Sequence, residues 1–323
     1  MGVGFKKEKI FSVLIVFSVF VLSIIISPFY VLEDQEVYRK VYSEIQGKGL
    51  IEAYAIYKSQ IFTNEIGHFF LIWLISDYFD KDLIMALINS ALAYFSIKIL
   101  RRYGAHFLVV FSVVVLGYYS WVLFLSAERL KISVAFLMVA IYLSVNGKRK
   151  SSFFLYLFSL ITHLQNLVVV SILLVGNYFN DVKRALFSGR VSRKNLIFLS
   201  ISFFSLIIVA AFFSSHILSK ISAYNSDKSF VDFLRISLFL FASLYYGHRD
   251  VGKVVLIFSV LYVAIFFVGG ERINIIGYYV FLYFCLRKRQ GINVGFFLVT
   301  GYYFLNLINY LSNVFQCGSN NPC

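Results

Sequence analysis

Long apolar stretches separated by short charged connections make up most of the chain. The first runs from Ile10 to Pro28, behind a lysine-rich start, and no small-residue cleavage site follows it, so we predict an uncleaved first helix. Several later stretches approach the ~20 apolar residues needed to cross a bilayer. Because they are continuously apolar and do not alternate at every second residue, the pattern predicts membrane helices rather than a β-barrel.

Basic residues between the stretches set the predicted orientation, with the N-terminus cytoplasmic and the C-terminus outside. This arrangement leaves 19 Lys and Arg with 3 acidic residues on the cytoplasmic side, and 11 with 13 on the outer side. Such sorting is what the positive-inside rule describes. After the first helix, the predicted membrane stretches are residues 84–100, 106–125, 132–145, a broken pair 153–162 and 164–179, and then 196–214, 233–246, 254–268, 273–286 and 294–311.

The polar segments between these stretches are predicted to lie outside. Residues 31–65 are too polar to cross, but their apolar positions recur at helical spacing, which predicts an amphipathic surface loop. Ile66 to Ser76 gives only about 16 Å of helix and is predicted to be a half-helix. Residues 216–230 form a second outer loop and residues 312–323 an outer C-terminal tail.

The composition agrees with a single all-α transmembrane domain over residues 1–323. Sixty per cent of the residues are hydrophobic and the mean hydropathy is +0.80, values that exclude a soluble globular class. The net charge of +14 could suggest nucleic-acid binding. In a membrane protein, cytoplasmic anchoring explains it better, and no nucleic-acid partner is expected.

A few ionisable residues stand at helix ends instead of in loops, and such groups at membrane depth often mark function. An isolated arginine there can instead snorkel to the headgroups. Adjacent residues of a helix do not face each other, so the Glu-Arg pairs leave each arginine to find another partner, such as a phosphate held in bidentate fashion. The candidates on the outer side are Glu65, Arg129, His163, Arg272 and, beside Asp232, Arg235.

His163 lies between two half-length helices, and a broken helix at membrane depth is tolerated only where it is buried or lines a wet cavity. A histidine suits a general base, although it can also be a polar residue bonded to backbone carbonyls. Glu65 precedes a half-helix and is either a second base, a sugar-hydroxyl acceptor or a helix-capping residue. Outer tyrosines, Tyr224 among them, could stack on sugar rings.

No metal-ligand spacing, P-loop or dinucleotide motif occurs, so no metal or cofactor is expected. Cys317 and Cys323 frame a tight polar tail. Because the tail is placed in an oxidising compartment, we predict a local disulfide.

A series of short motifs spans most of residues 1–290. They are Asp34-Gln-Glu-Val-Tyr38, Glu65-Ile-Gly67-His-Phe69, Arg129 with Ala135, the basic turn 148–150, Ile161-Thr-His163, and Arg272 followed by Tyr278-Tyr279. In this order the sequence resembles the EpsG-type bacterial polysaccharide polymerases, which are related to the Wzy O-antigen polymerases. The chain departs from that pattern at Leu130 and Leu164, which leaves the substrate's identity open.

The resemblance implies a GT-C-like bundle of about 10–12 membrane segments in the bacterial inner membrane. It implies a metal-independent, inverting glycosyltransferase that joins polyprenyl-pyrophosphate-linked oligosaccharides, alongside a chain-length regulator and a flippase. His163 or Glu65 would be the base, and Arg129 and Arg272 would hold the pyrophosphate. Residues expected to bind substrate are Asp34, Glu36, Tyr38, Tyr224, Arg235, Glu128 and Glu271.

Other function classes stay open at this point. A flippase for lipid-linked oligosaccharides would also need cationic groups around a cavity, but it usually shows two pseudo-symmetric halves, which are not evident here. A membrane acyltransferase would need a histidine paired with an acid or nucleophile within one helix, and Thr162-His163 is slight support for that. A membrane scaffold explains the sorted charge but not the broken helices.

Overall fold

The computed structural model describes residues 2–63, 65–188 and 230–323. This part of the chain is helical and contains no strand. Its helices are α1 (Gly2–Ile26), α2 (Asp34–Ile45), α3 (Leu50–Ile61), α4 (Ile66–Ser76), α5 (Lys81–Arg102), α6 (Phe107–Val114), α7 (Tyr118–Leu125), α8 (Glu128–Val145), α9 (Arg149–Thr162), α10 (Asn166–Ser188), α11 (Phe230–Tyr246), α12 (Val251–Val268), α13 (Gly270–Cys285) and α14 (Val294–Cys317).

The helices form two compact units. The first unit contains residues 1–166 and 290–323, and therefore α1 to α9 together with α14. The second contains residues 167–289, with α10 to α13. The predicted helix 196–214, nearly all of the predicted loop 216–230 and Tyr224 lie outside the described residues.

Three helical segments of the described part are long and apolar enough to cross a membrane: Glu8–Phe29, Lys81–Arg102 and Arg289–Cys317. The pair α6 and α7 adds a fourth if it counts as one span bent by 42°. Fewer segments meet this criterion than the ten to twelve expected. Helices such as α4 and α9 are short, and the first turn of α8 contains three charged residues. The chain is thus a helical protein with several candidate membrane spans.

Buried polar side chains join the long helices of the first unit. Asn89 on α5 is fully buried and donates from one amide group to Ser23 on α1 and to the carbonyl of Phe124 on α7. Asp80 caps α5, because its carboxylate accepts from the backbone N–H groups of Asp82 and Leu83. The two bonds of Asn89 fix α5 beside α1 and α7.

The polar segment after α1 folds into two short helices, α2 and α3. Val41 and Ile45 of α2 are buried, as are Ala53 and Tyr57 of α3, and they pack with Phe69 of α4 into one apolar cluster. The polar residues on the other sides of α2 and α3 remain exposed. On α2 the buried face contains Val41 and Ile45, which are spaced one helical turn apart, whereas Ile51 on α3 is 87% exposed and the buried side of α3 is that of Ala53 and Tyr57.

The helix break predicted at His163 is also present. α9 ends at Thr162, α10 begins at Asn166, and His163 itself has an extended backbone. A second break, at Gly117, separates α6 from α7, and Ser120 and Trp121 donate hydrogen bonds to the carbonyl oxygens that it frees.

The C-terminal tail forms the predicted Cys317–Cys323 disulfide. α14 extends to Cys317, so the irregular tail begins at Gly318 and not at residue 312. Gly318 takes a left-handed conformation, which ends the helix, and its carbonyl accepts hydrogen bonds from the backbone of Val31 and Leu32. The tail is thereby attached to the segment that leads into α2.

Candidate active site

Three of the four residues predicted to be catalytic converge in the first unit. One Glu65 oxygen accepts a hydrogen bond from Nη1 of Arg129 at 2.7 Å. The other lies 2.5 Å from Nδ1 of His163. Glu65 precedes α4, Arg129 lies in the first turn of α8, and His163 follows α9. Three helix ends distant in sequence therefore meet at one carboxylate.

Gly67 allows this convergence. A Cβ at this position would lie 2.6 Å from the hydroxyl of Thr162 and 2.9 Å from its Cα and backbone nitrogen. Only a residue without a side chain permits the first turn of α4 to approach the end of α9 so closely. Because Glu65 lies two residues before Gly67 and His163 one residue after Thr162, this approach brings the two side chains together.

Tyr38 on α2 completes the cluster. Its hydroxyl accepts a hydrogen bond from Nε of Arg129 at 2.9 Å, and the ring is almost fully buried. Arg129 is therefore held from two sides, and its Nη2 donates to none of the described residues. We call Tyr38, Glu65, Arg129 and His163 the Glu65 cluster.

The neighbours of Glu65 determine its charge. Burial raises the pKa of this carboxyl, but the imidazole of His163 and the guanidinium of Arg129 outweigh burial and hold the pKa well below its usual range. Glu65 is therefore a stable carboxylate and a weak base. Its position suits it better to orienting His163 than to taking up a proton itself.

Glu128 does not lie where a substrate-binding residue was expected. It is fully buried, and its carboxylate lies 3.0 Å from Nζ of Lys81 and 3.5 Å from Nε2 of His68. It points to these partners because it is adjacent to Arg129 on a helix, where neighbouring side chains diverge. The substrate-binding role expected for Glu128 conflicts with this burial.

Further polar groups extend the surroundings of Glu128. The hydroxyl of Tyr57 lies 3.0 Å from Nδ1 of His68, and Nζ of Lys81 donates to Oε1 of Gln35 at 2.6 Å. Gln35 in turn donates to the carbonyl of Leu125. These residues, which we call the Glu128 cluster, are Gln35, Tyr57, His68, Lys81 and Glu128. The ring of Tyr38 packs near that of His68, so the two clusters are neighbours.

A polar group that sequence reasoning missed supports the break at His163. The buried amide of Asn166 donates to the hydroxyls of Ser133 and Ser159 at 2.7 and 2.6 Å. Ser133 also donates to the carbonyl of Ser159. The turn that contains His163 is thus bonded to both α8 and α9. The sequence did contain a signal for this group, because Ser133 and Ser159 are polar residues within two apolar helices.

The remaining first-unit candidates, Asp34 and Glu36, are exposed in the first turn of α2. The structure brings only Tyr38 from this motif into the Glu65 cluster, because Tyr38 lies on the buried face of α2.

The second unit contains Arg235, Glu271 and Arg272. Arg235 pairs with Asp232 one turn away at 3.4 Å, as their spacing predicted. Asp232 also accepts from the buried amide of Asn274 on α13, at 2.7 Å. Glu271 is exposed and Arg272 half-buried in the first turn of α13. The hydrogen bond from Asn274 to Asp232 in this unit was not predicted from the sequence.

Among the described residues, no group of three or more His, Cys, Asp or Glu side chains could hold a metal ion. Comparisons of the chain with known protein families, with curated proteins and with solved structures find no match. The resemblance to polysaccharide polymerases therefore stays a prediction from the motifs, and the function rests on the geometry of the site.

Proposed function

We propose that the protein is a membrane glycosyltransferase that joins polyprenyl-pyrophosphate-linked oligosaccharides into a polysaccharide. The observation that carries this proposal is the meeting of Glu65, His163 and Arg129 at a break between helices. A histidine oriented by a carboxylate suits proton removal, and a guanidinium beside it suits an anionic leaving group. On this proposal the helices form a GT-C-like bundle in the bacterial inner membrane.

His163 is the base in this mechanism, and Glu65 orients it. Neutral His163 donates its Nδ1 proton to the Glu65 carboxylate, which places the basic lone pair on Nε2. The pairing also stabilises the imidazolium that forms when the proton is taken up. The depressed pKa of Glu65 agrees with a carboxylate that stays ionised throughout.

The reaction is a single displacement. The acceptor sugar hydroxyl gives its proton to His163 as its oxygen bonds to the anomeric carbon of the donor. The bond from that carbon to the pyrophosphate oxygen breaks, and the pyrophosphate leaves with the electron pair. Arg129 stabilises the developing charge, because Nη2 is not used in its contacts with Glu65 and Tyr38. Attack opposite the leaving group inverts the anomeric centre.

Arg272 keeps the phosphate-binding role predicted from its motif. Arg235, Asp34 and Glu36 likewise remain proposed substrate-binding residues. These assignments come from the resemblance and not from contacts with the Glu65 cluster.

The test is elongation of a purified lipid-linked repeat unit by the protein in nanodiscs. His163→Ala and Arg129→Lys should each reduce the rate by at least about 100-fold, as expected for removing a base or a charge-stabilising donor. Matched controls are His248→Ala and Arg102→Lys, which change exposed residues of the same types. Normal elongation by a folded His163→Ala protein would refute the proposal. So would transport of the lipid-linked unit across the bilayer without elongation, the outcome expected of a flippase.

A further inference from the structure

Two polar side chains flank the Glu65–His163 pair without belonging to either cluster. Thr63 lies two residues before Glu65, and Gln165 lies two residues after His163. Chain geometry keeps each within about 7 Å of its member of the pair, measured between Cα atoms. Both are more than nine-tenths buried, with exposures of 2% for Thr63 and 6% for Gln165.

Neither side chain has a hydrogen-bond partner among the residues that the structure describes. The amide nitrogen and oxygen of Gln165 and the hydroxyl of Thr63 are all buried and unpaired. Within the described residues, Gln165 is the one amide side chain in which both atoms are in this state. Its neighbours differ: the hydroxyl of Thr162 donates to Phe158, and the amide of Asn166 donates to two serines.

Unpaired polar atoms in a protein interior are costly, and native proteins keep few of them without a reason. Two such atoms on Gln165, next to the proposed base, and one on Thr63, next to Glu65, indicate that a polar ligand group completes the site. Gln165 offers one donor and one acceptor without charge, and Thr63 offers a hydroxyl. Neutral groups of this kind match sugar hydroxyls and suit a phosphate less well than an arginine does.

We propose that Thr63 and Gln165 form a sugar-binding subsite that holds the acceptor ring beside His163. This inference rests on the proposed function for the identity of the acceptor. The two side chains bind hydroxyls next to the one that reacts, so they orient the ring while His163 takes the proton. They are specificity-determining residues, and the pyrophosphate end of the donor does not depend on them.

The first experiment measures sugar binding without turnover. Saturation-transfer NMR of the full-length protein in nanodiscs, with free hexoses, 6-deoxyhexoses and N-acetylhexosamines, should show binding of at least one sugar class. Gln165→Leu and Thr63→Val should each weaken it by up to about tenfold, the effect of one lost hydrogen bond. Thr63→Ser, which keeps the hydroxyl, should bind more tightly than Thr63→Val. Gln46→Leu is the matched control, because the amide of Gln46 already donates to the carbonyl of Ser76.

The second experiment measures elongation kinetics. Gln165→Leu should raise the KM for the acceptor more than it lowers kcat, leave the KM for the donor unchanged, and reduce discrimination against deoxygenated acceptors. Unchanged sugar binding and acceptor KM in folded Gln165→Leu and Thr63→Val proteins would overturn the subsite, even if polymer forms normally. No binding of any sugar by the unmodified protein would also overturn it. Sugar binding that depends on Gln165, without any polymer, would support the subsite and refute the proposed polymerase.

Discussion

The substitution Glu128→Gln tests the buried ion pair behind the candidate site. Glu128 is fully buried, Lys81 is 7% exposed, and their charged atoms lie 3.0 Å apart. Glutamine has nearly the same shape as glutamate, and Lys81 keeps its hydrogen bond to Gln35. The variant therefore removes the negative charge while keeping the packing, and it leaves a buried ammonium without its counter-charge.

The expected cost follows from the distance and the burial. Two unit charges at this separation attract by about 5 kcal/mol at an effective dielectric constant of about 20. Removing one partner of a buried pair typically costs about 3–5 kcal/mol, whereas replacing both partners by neutral groups is often close to neutral. We expect Glu128→Gln to lower the free energy of unfolding by about 3 kcal/mol or more. Combining it with Lys81→Met should restore most of that loss.

The assay is reversible unfolding in mixed micelles with increasing SDS, followed by tryptophan fluorescence. The two single variants and the double variant complete a double-mutant cycle, which isolates the coupling energy of the pair. Glu52→Gln is the matched control, because Glu52 pairs with Lys48 at 2.8 Å on an exposed face where water screens both charges. That control should unfold almost as the unmodified protein does.

Either of two results would refute the reasoning. Glu128→Gln could unfold at the same SDS concentration as the unmodified protein, which would mean that the buried charge is already compensated by other groups. Alternatively, the double variant could lose as much stability as the two single variants added together. In that case Glu128 and Lys81 would act independently, and the Glu128 cluster would owe its stability to packing.

Three further predictions concern the site and its surroundings. Gly67→Ala should reduce elongation at least about tenfold and cost about 1–3 kcal/mol of stability, because its Cβ meets the backbone of Thr162; Gly301→Ala, with open space around it, is the control for both measurements. Cys317→Ser should lower the free energy of unfolding by about 2 kcal/mol, the loop-closure value for so short a disulfide loop, and equal destabilisation by a reductant would confirm the cause. The pKa of Glu65 is lower in the folded protein than its ordinary 4.5, so its pairing stabilises the fold above about pH 4.5 and this contribution is lost as the pH falls. On acidification, the free energy of unfolding should therefore fall more steeply for the unmodified protein than for Glu65→Gln, as measured by unfolding curves at a series of pH values.

Three members of the Glu65 cluster could be predicted because each breaks a local rule. His163 interrupts a run of apolar residues, Arg129 is a charge at the start of an apolar stretch, and Glu65 directly precedes a short apolar stretch. These are properties of single positions, so one sequence is sufficient to find them. Their mutual contacts were not predictable, because they depend on the close approach that Gly67 permits between α4 and α9.

The Glu128 cluster was missed for a different physical reason. Lys81 follows a polar turn and looks like a solvated residue in the sequence, yet it is buried against Glu128. Gln35 and Tyr57 lie on the buried sides of α2 and α3, and the spacing of apolar residues gives no sign of a polar group buried there.

Helix geometry explains how one short segment serves both clusters. Successive residues on a helix point roughly 100° apart, so Glu128 and Arg129 cannot share a partner. The carboxylate of Glu128 lies 3.0 Å from Nζ of Lys81 and 3.5 Å from Nε2 of His68, both of which are buried. Arg129 donates to Glu65 and to Tyr38 instead. Glu128 and Arg129, adjacent in sequence and opposite in charge, therefore join the first turn of α8 to two different sets of buried partners.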